Sequence, residues 1–419
     1  MKKFFLKILL LTFCVALSYL GWRVLELRRD NDTLRTKLAA PPPAPKPEDQ
    51  AELRRQVEEQ TSEIRGLTFK HPVDYKMIAR NELRAVLVGK VKEQFSEQEI
   101  RDYSRSLVAL GLVPAGTDLL DAMISLYDEQ VGAFYVPEER ALYTFKDLTF
   151  SSGLDKTLLS HELTHALQDQ NFDLTKFALK VKDNDDLALA NAALIEGDAT
   201  LEMTLWYAQY TDPGHILGDV AAILKQNVAK LRDAPPYLRE MLLFPYQEGQ
   251  TFAMELYRNG GTAALNAAFR NPPRSTQQIL HPERFLTDRH DPVAVEVPPV
   301  ESPDWRLIGN NVLGEFGIRS LLGGELSAWE AQLVAQGWRA DRYHAYERGA
   351  DGPTAVVWVT VWDSEQSAGE FEDAFKQLGK KQEATARMTT RVHRDGARVT
   401  IQRSADPSFF ELPGVALAR

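Results

Sequence analysis

The sequence predicts an α+β fold: a mostly helical core with a small β-hairpin ahead of one motif-bearing helix, and a small C-terminal α+β unit. Three observations predict it. Apolar residues recur at helical spacing through most of residues 51–256. The period switches to strand-like runs at 131–136 and 141–145, around Pro137-Glu138-Glu139-Arg140. Near the C-terminus, Thr354-Ala355-Val356-Val357-Trp358-Val359-Thr360-Val361-Trp362 is β-branched and aromatic throughout, the composition of a central strand.

The chain has 419 residues and a formal net charge of −10, without a basic patch interleaved with aromatics, which excludes a nucleic-acid footprint. Met1-Lys2-Lys3 is followed by a nearly continuous apolar run over 4–22. Its length, and the lack of a small-residue cleavage site, read as a signal anchor rather than a cleaved signal peptide. The expected location is therefore a cell membrane, crossed once, with the bulk of the chain on the periplasmic or extracellular side. Lys2 and Lys3 on one flank against Arg23, Arg28 and Arg29 on the other give only a weak orientation preference. Cys14 is the single cysteine, so the rest of the chain has neither disulfides nor a cysteine-based metal site. Residues 23–50 read as a charged helix and the Pro-rich linker Pro41-Pro42-Pro43-Ala44-Pro45-Lys46-Pro47. The expected domains are 51–290 and 305–419.

Helices are expected over 51–65, 73–91, 96–110, where Ser96 and Glu99 form a capping box, and 119–129. The hairpin over 131–145 is placed to hydrogen-bond an extended peptide by β-addition. The motif helix should run from 156 to 169 with Asp155 as N-cap. It contains His161-Glu162-Leu163-Thr164-His165. On a helix, His161 and His165 share one face and can hold one small cation. Glu162, about 100° round, stands where a general base for a metal-bound water belongs. A second long helix, 187–210, carries Glu196 in Ala192-Ala193-Leu194-Ile195-Glu196-Gly197-Asp198-Ala199. Its small residues permit close helix packing, which would let Glu196 reach the same metal. Farther on, 221–256 reads as helical with a break at Pro235-Pro236, and Gly260-Gly261 ends a helix. The last unit reads as helices 314–322 and 327–336, strand 355–362, helix 364–378 and paired strands 390–392 and 398–403.

These residues resemble the gluzincin class of zinc metallopeptidases, the thermolysin-like enzymes. The run from His161 to Asp169 looks like their active-site helix, Gly132-Ala133-Phe134 like their substrate-binding edge strand, and Glu196 stands in place of their third ligand. The chain also resembles a family of bacterial envelope proteins sharing these stretches and Ser275-Thr276-Gln277-Gln278-Ile279-Leu280-His281-Pro282. The resemblance implies a zincin-like core, one zinc ion held by His161, His165 and Glu196, and a membrane-anchored peptidase. Its metal-activated water would hydrolyse peptide bonds of a peptide or protein substrate, with Glu162 as general base and acid. Two departures stand out. The gap from His165 to Glu196 is long, and Thr200 occupies the position of an expected second carboxylate, leaving Asp198 or Asp169 to orient a histidine and Asp198 as an alternative ligand. His281, Tyr246 and Tyr135 are the candidates to steady a developing oxyanion. The alternatives are a non-catalytic zincin-fold scaffold or binding protein, against which the intact Glu162 argues, and a zinc amidase acting on a cell-wall or other non-peptide amide.

Overall fold

A computed structural model describes residues 47–130, 133–146, 148, 150, 152–211, 233–386 and 388–415. From Ala51 onward it packs as one compact unit. The expected membrane location is corrected: among the described residues no helix is long and apolar enough to cross a membrane. The segment 1–22, on which that expectation rested, and the charged and Pro-rich stretch to residue 46 lie outside the described residues.

Helix α1 spans Pro47–Arg65. The expected helix over 73–91 is instead a strand, β1 (Asp74–Ile78), a short 3-10 turn, and helix α2 (Leu83–Gln94). Tertiary pairing overrides the local helical period here. β1 runs parallel to β3 (Ala141–Phe145), and the Tyr75 ring packs under Arg54 of α1 while its hydroxyl donates to Glu58 at 2.7 Å. β2 (Ala133–Val136) pairs antiparallel to β3, giving the order β1-β3-β2. Helix α3 (Glu97–Leu110) begins at the expected Ser96/Glu99 capping box and stops at Gly111, whose φ of 84° suits a residue without Cβ. Helix α4 is Leu119–Gln130.

Helix α5 (Gly153–Phe172) starts at Ser152 rather than Asp155: the Ser152 hydroxyl accepts from the Asp155 N–H, and the Asp155 carboxylate lies in the first turn. Helix α6 is Asp185–Tyr210, capped by Asn184, and α7 is Pro236–Arg270, with non-helical backbone at Gly260 and Gly261. The small-residue stripe of α6 meets α7, not α5. A Cβ on Gly197 would fall 2.1 Å from the Gly249 carbonyl oxygen, and a Cβ on Gly249 would fall 2.3 Å from that of Ala193. Short helices α8 (Thr276–Leu280) and α9 (Glu283–Leu286) follow.

The C-terminal stretch holds β4 (Trp305–Asn311), α10 (Gly314–Gly323), α11 (Ala328–Ala335), β5 (Trp338–Arg348), β6 (Thr354–Trp362), α12 (Glu365–Ala386), β7 (Thr389–Asp395) and β8 (Arg398–Ser404). All strand pairs are antiparallel, in the order β4-β5-β6-β8-β7. β6 is central, as its composition requires. β4 and β5 add two strands to the expected set. β5 is dense in Arg, Asp and Glu, which masks its alternation; one of these, Asp341, is buried and accepts from Leu313 N, Gly314 N, Trp338 Nε1 and Trp358 Nε1 at 2.9–3.0 Å. One apolar core contains Leu194 and Phe252 together with Phe316, Trp338 and Trp358. The boundary expected between 290 and 305 is therefore a change of element type within a shared core. The Ser275–His281 stretch ties the two parts: Thr276 donates to Asp186, Gln277 to the carbonyl of Trp338, and His281 pairs with Glu315.

Candidate metal centre

α5 carries the motif with its apolar side locked down: Leu159, Leu163, Ala166 and Leu167 are fully buried. One turn apart, His161 and His165 turn their Nε2 atoms to within 3.2 Å of each other. Glu196 of α6 closes the figure. Its Oε2 lies 3.2 Å from His161 Nε2 and 3.4 Å from His165 Nε2. Among the described residues, this is the group of His, Asp and Glu side chains whose donor atoms converge on one small volume. Burial opposes charge on His165, but the carboxylates of Glu196 and Glu162 outweigh it and push the imidazole up to about 9. Burial alone would raise Glu196, yet the two histidines hold its carboxyl well below the usual range.

Glu162 points to the hairpin. Its Oε2 accepts from the backbone N–H of Tyr135 at 2.9 Å, so the outer edge of β2 faces the motif helix. Burial raises the Glu162 carboxyl above its ordinary range.

The partner of the histidines is neither Asp169 nor Asp198 directly. For His165 it is Gln168, one turn beyond it, while His161 Nδ1 is buried without a partner among the described residues. Gln168 Oε1 lies 2.9 Å from His165 Nδ1, and its amide nitrogen donates to the Ile195 carbonyl and to Asp198 Oδ2 at 3.0 and 2.9 Å. Asp198 is fully buried and takes a 2.8 Å hydrogen bond from Arg65 Nε of α1; Arg65 also donates to Asn266. Asp198 thus stands behind the triangle and does not join it. Asp169 accepts from the Tyr135 hydroxyl and from Leu174 N, fixing the hairpin and the C-terminal end of α5. Thr200 contributes nothing to the triangle. One turn further along α6 from Asp198, Glu202 accepts from Thr164 at 3.0 Å, and burial raises its carboxyl well above normal.

Of the three oxyanion candidates, one approaches. The Tyr246 ring of α7 stacks near His161, centroids 6.3 Å apart, and lines with Glu196 a cavity of about 290 Å³. The Tyr135 hydroxyl is committed to Asp169, and His281 to Glu315 at 2.7 Å. Gln168 was within reach of sequence reasoning, since it lies at i+3 from His165 on the same face. Arg65, 133 residues from Asp198 along the chain, carries no local signal.

A family model described as a domain of unknown function (DUF8575) matches residues 305–415, the part that holds the five-stranded sheet, and leaves the triangle outside the match. No curated protein matches. A solved structure from Chloroflexus aurantiacus, described as a candidate hydrolase with a novel fold, is similar over 58% of this chain and 91% of that one, at 16% identity and a TM-score of 0.35. Likeness at that level carries no inference about this chain.

Proposed function

We propose that this protein is a zinc-dependent hydrolase with a zincin-like, gluzincin-type centre that cleaves the amide bond of a peptide substrate, with His161, His165 and Glu196 as ligands and Glu162 as general base. The observation that carries the reading is the triangle. A tetrahedral ion with bonds of 2.0–2.1 Å separates its donor atoms by about 3.3–3.4 Å. The three donor atoms here stand 3.2, 3.2 and 3.4 Å apart. Two imidazoles and one carboxylate are also the donor set that catalytic zinc takes when a fourth position is kept for water or substrate.

A bound zinc ion supplies Lewis acidity, polarising the scissile carbonyl and acidifying water. The chain's own groups do the rest. Gln168 fixes which His165 nitrogen faces the centre. Glu162, adjacent to His161 in the chain and anchored by Tyr135 N, takes a proton at its carboxylate and returns it to the leaving amine. The Tyr246 ring covers the His161 side.

The test is metal analysis and casein-type proteolysis of the full chain, wild type beside Glu162→Gln. One zinc per chain in both proteins, with activity only in the wild type, is the expected result. A folded wild-type chain that takes up no zinc sinks the reading.

A further inference from the structure

We propose that the cavity walled by α2, α3, α4 and β4 binds an aliphatic chain, the apolar part of a substrate whose scissile amide lies at the His161–His165–Glu196 centre. The role as substrate rests on the hydrolase reading; the binding of the chain does not.

The cavity measures about 530 Å³, the size of a small-ligand site rather than a packing defect. It is lined by Leu87, Val91, Ile100, Leu120 and Ile124, closed on the C-terminal side by Ile308 of β4 and Tyr343 of β5. It shares Tyr103, Met123, Asp185 and Met241 with the smaller cavity that reaches Glu196 and Tyr246. The two therefore adjoin at these four residues, and an elongated group lying in one has only that shared boundary to pass to bring its polar end to the other.

The polar groups in the wall decide what that group is. Each charged side chain there already has a partner. Lys90 pairs with Glu139 and Lys182 with Glu99. Asp102 pairs with Arg306, and Asp185 accepts from the Tyr103 hydroxyl. The side-chain oxygens of Asn310 and Asn311 are taken, by Arg342 and by the Asp185 N–H, which leaves only their amide N–H groups. A peptide entering the cavity brings an N–H and a C=O with every residue, more than the Gln94, Asn310 and Asn311 amides of this largely apolar wall can pair, and the remainder go unpaired at a cost. An alkyl chain brings none. The arrangement favours a polymethylene chain, as carried by an acylated peptide, over a run of apolar residues. The five-stranded sheet thereby takes part in binding, since its edge strand forms one wall of the cavity.

The test titrates the full chain with straight-chain carboxylic acids from eight to fourteen carbons, and with dodecanol to remove the head charge. One site is expected. Affinity should rise roughly threefold to fourfold per added methylene until the cavity is filled. Met123→Trp, in the shared wall, and Val91→Trp, in the α2 wall, should each weaken dodecanol binding at least tenfold, and Glu162→Gln should bind as the wild type does. An affinity that ignores chain length overturns the proposal, and so does an apolar tetrapeptide amide that competes as well as dodecanol. The chain-length series decides the matter even where a tryptophan variant fails to fold. Alkyl binding without hydrolysis in the presence of zinc would overturn the hydrolase reading and leave this site standing; hydrolysis without alkyl binding would do the reverse.

Discussion

Gln168 Oε1 lies 2.9 Å from His165 Nδ1, and this contact fixes the tautomer of the histidine. The Gln168 amide nitrogen is spent on two acceptors, the Ile195 carbonyl and Asp198. Its oxygen must then face the ring, so His165 Nδ1 keeps its proton, and Nε2 is the nitrogen that gives up its own when it offers a lone pair to a metal. Gln168→Leu removes this constraint while keeping the volume. Zinc affinity should fall about 10–100-fold, as for other groups that orient a metal-ligating histidine. Competition with a chromophoric chelator measures it; an unchanged affinity would show that the contact does not matter.

Arg65 is 2% exposed and Asp198 fully buried, so their ion pair has no water to fall back on. Arg65→Met leaves Asp198 a buried charge without its counter-ion and should cost about 3–5 kcal/mol in urea unfolding. Asp198→Asn, added to it, should recover part of that loss, because the orphaned charge disappears. A double variant no more stable than Arg65→Met would refute the account.

The motif helix, its two histidines, Glu162 and Glu196 were legible because a helix converts sequence spacing into spatial spacing. His161 and His165 had to share a face, and Gly197 with Ala193 announced a close helix contact, although the helix they meet is α7. Long-range pairing was not legible. β1 reads as helix until β3 lies beside it, and β5 hides its alternation behind charges that the neighbouring strands and Asp341's four donors satisfy. The Arg65–Asp198 pair spans α1 and α6, and no local pattern encodes a contact of that separation. The apolar cavity lies in the same class: its walls come from α2, α3, α4 and the C-terminal sheet.

Asp186 makes stability pH-dependent. Burial, its largest perturbation, pushes the carboxyl up to about 7, with Asp341 and Glu315 adding to it and the Thr276 hydrogen bonds opposing. In the unfolded chain the group titrates near 3.8. Below that pH both states hold the proton and the contribution is fully present. As pH rises from about 4 to 7 the unfolded state releases its proton first, so stability drains away through that window. Asp186→Asn cannot titrate. The stability difference, wild type minus variant, should therefore fall by on the order of 3–4 kcal/mol between pH 4 and 7. Denaturant midpoints at both ends check it, and a flat difference would contradict it.

Gly249 allows α6 and α7 to touch backbone to backbone, and that contact sets where Glu196 stands. An alanine Cβ at Gly249 would sit 2.3 Å from the Ala193 carbonyl oxygen, and one at Gly197 would sit 2.1 Å from that of Gly249. The clashing atoms are main chain in helices, so neither can rotate aside and the helices must separate. Gly249→Ala should cost at least the 1–3 kcal/mol of an overpacked core. Because Glu196 precedes Gly197 on α6, the separation should also widen the triangle and weaken zinc binding, though Gly249 touches none of its three members. Gly369 in α12 is the control: a Cβ there meets nothing within 4 Å. Gly369→Ala should stabilise by about 0.5–1 kcal/mol through helix propensity alone and leave zinc affinity unchanged. Unfolding curves and zinc titrations on both variants separate the two effects. If Gly249→Ala lost stability but kept its zinc affinity, the α6–α7 contact would be packing only, and the position of Glu196 would have to be set by α5.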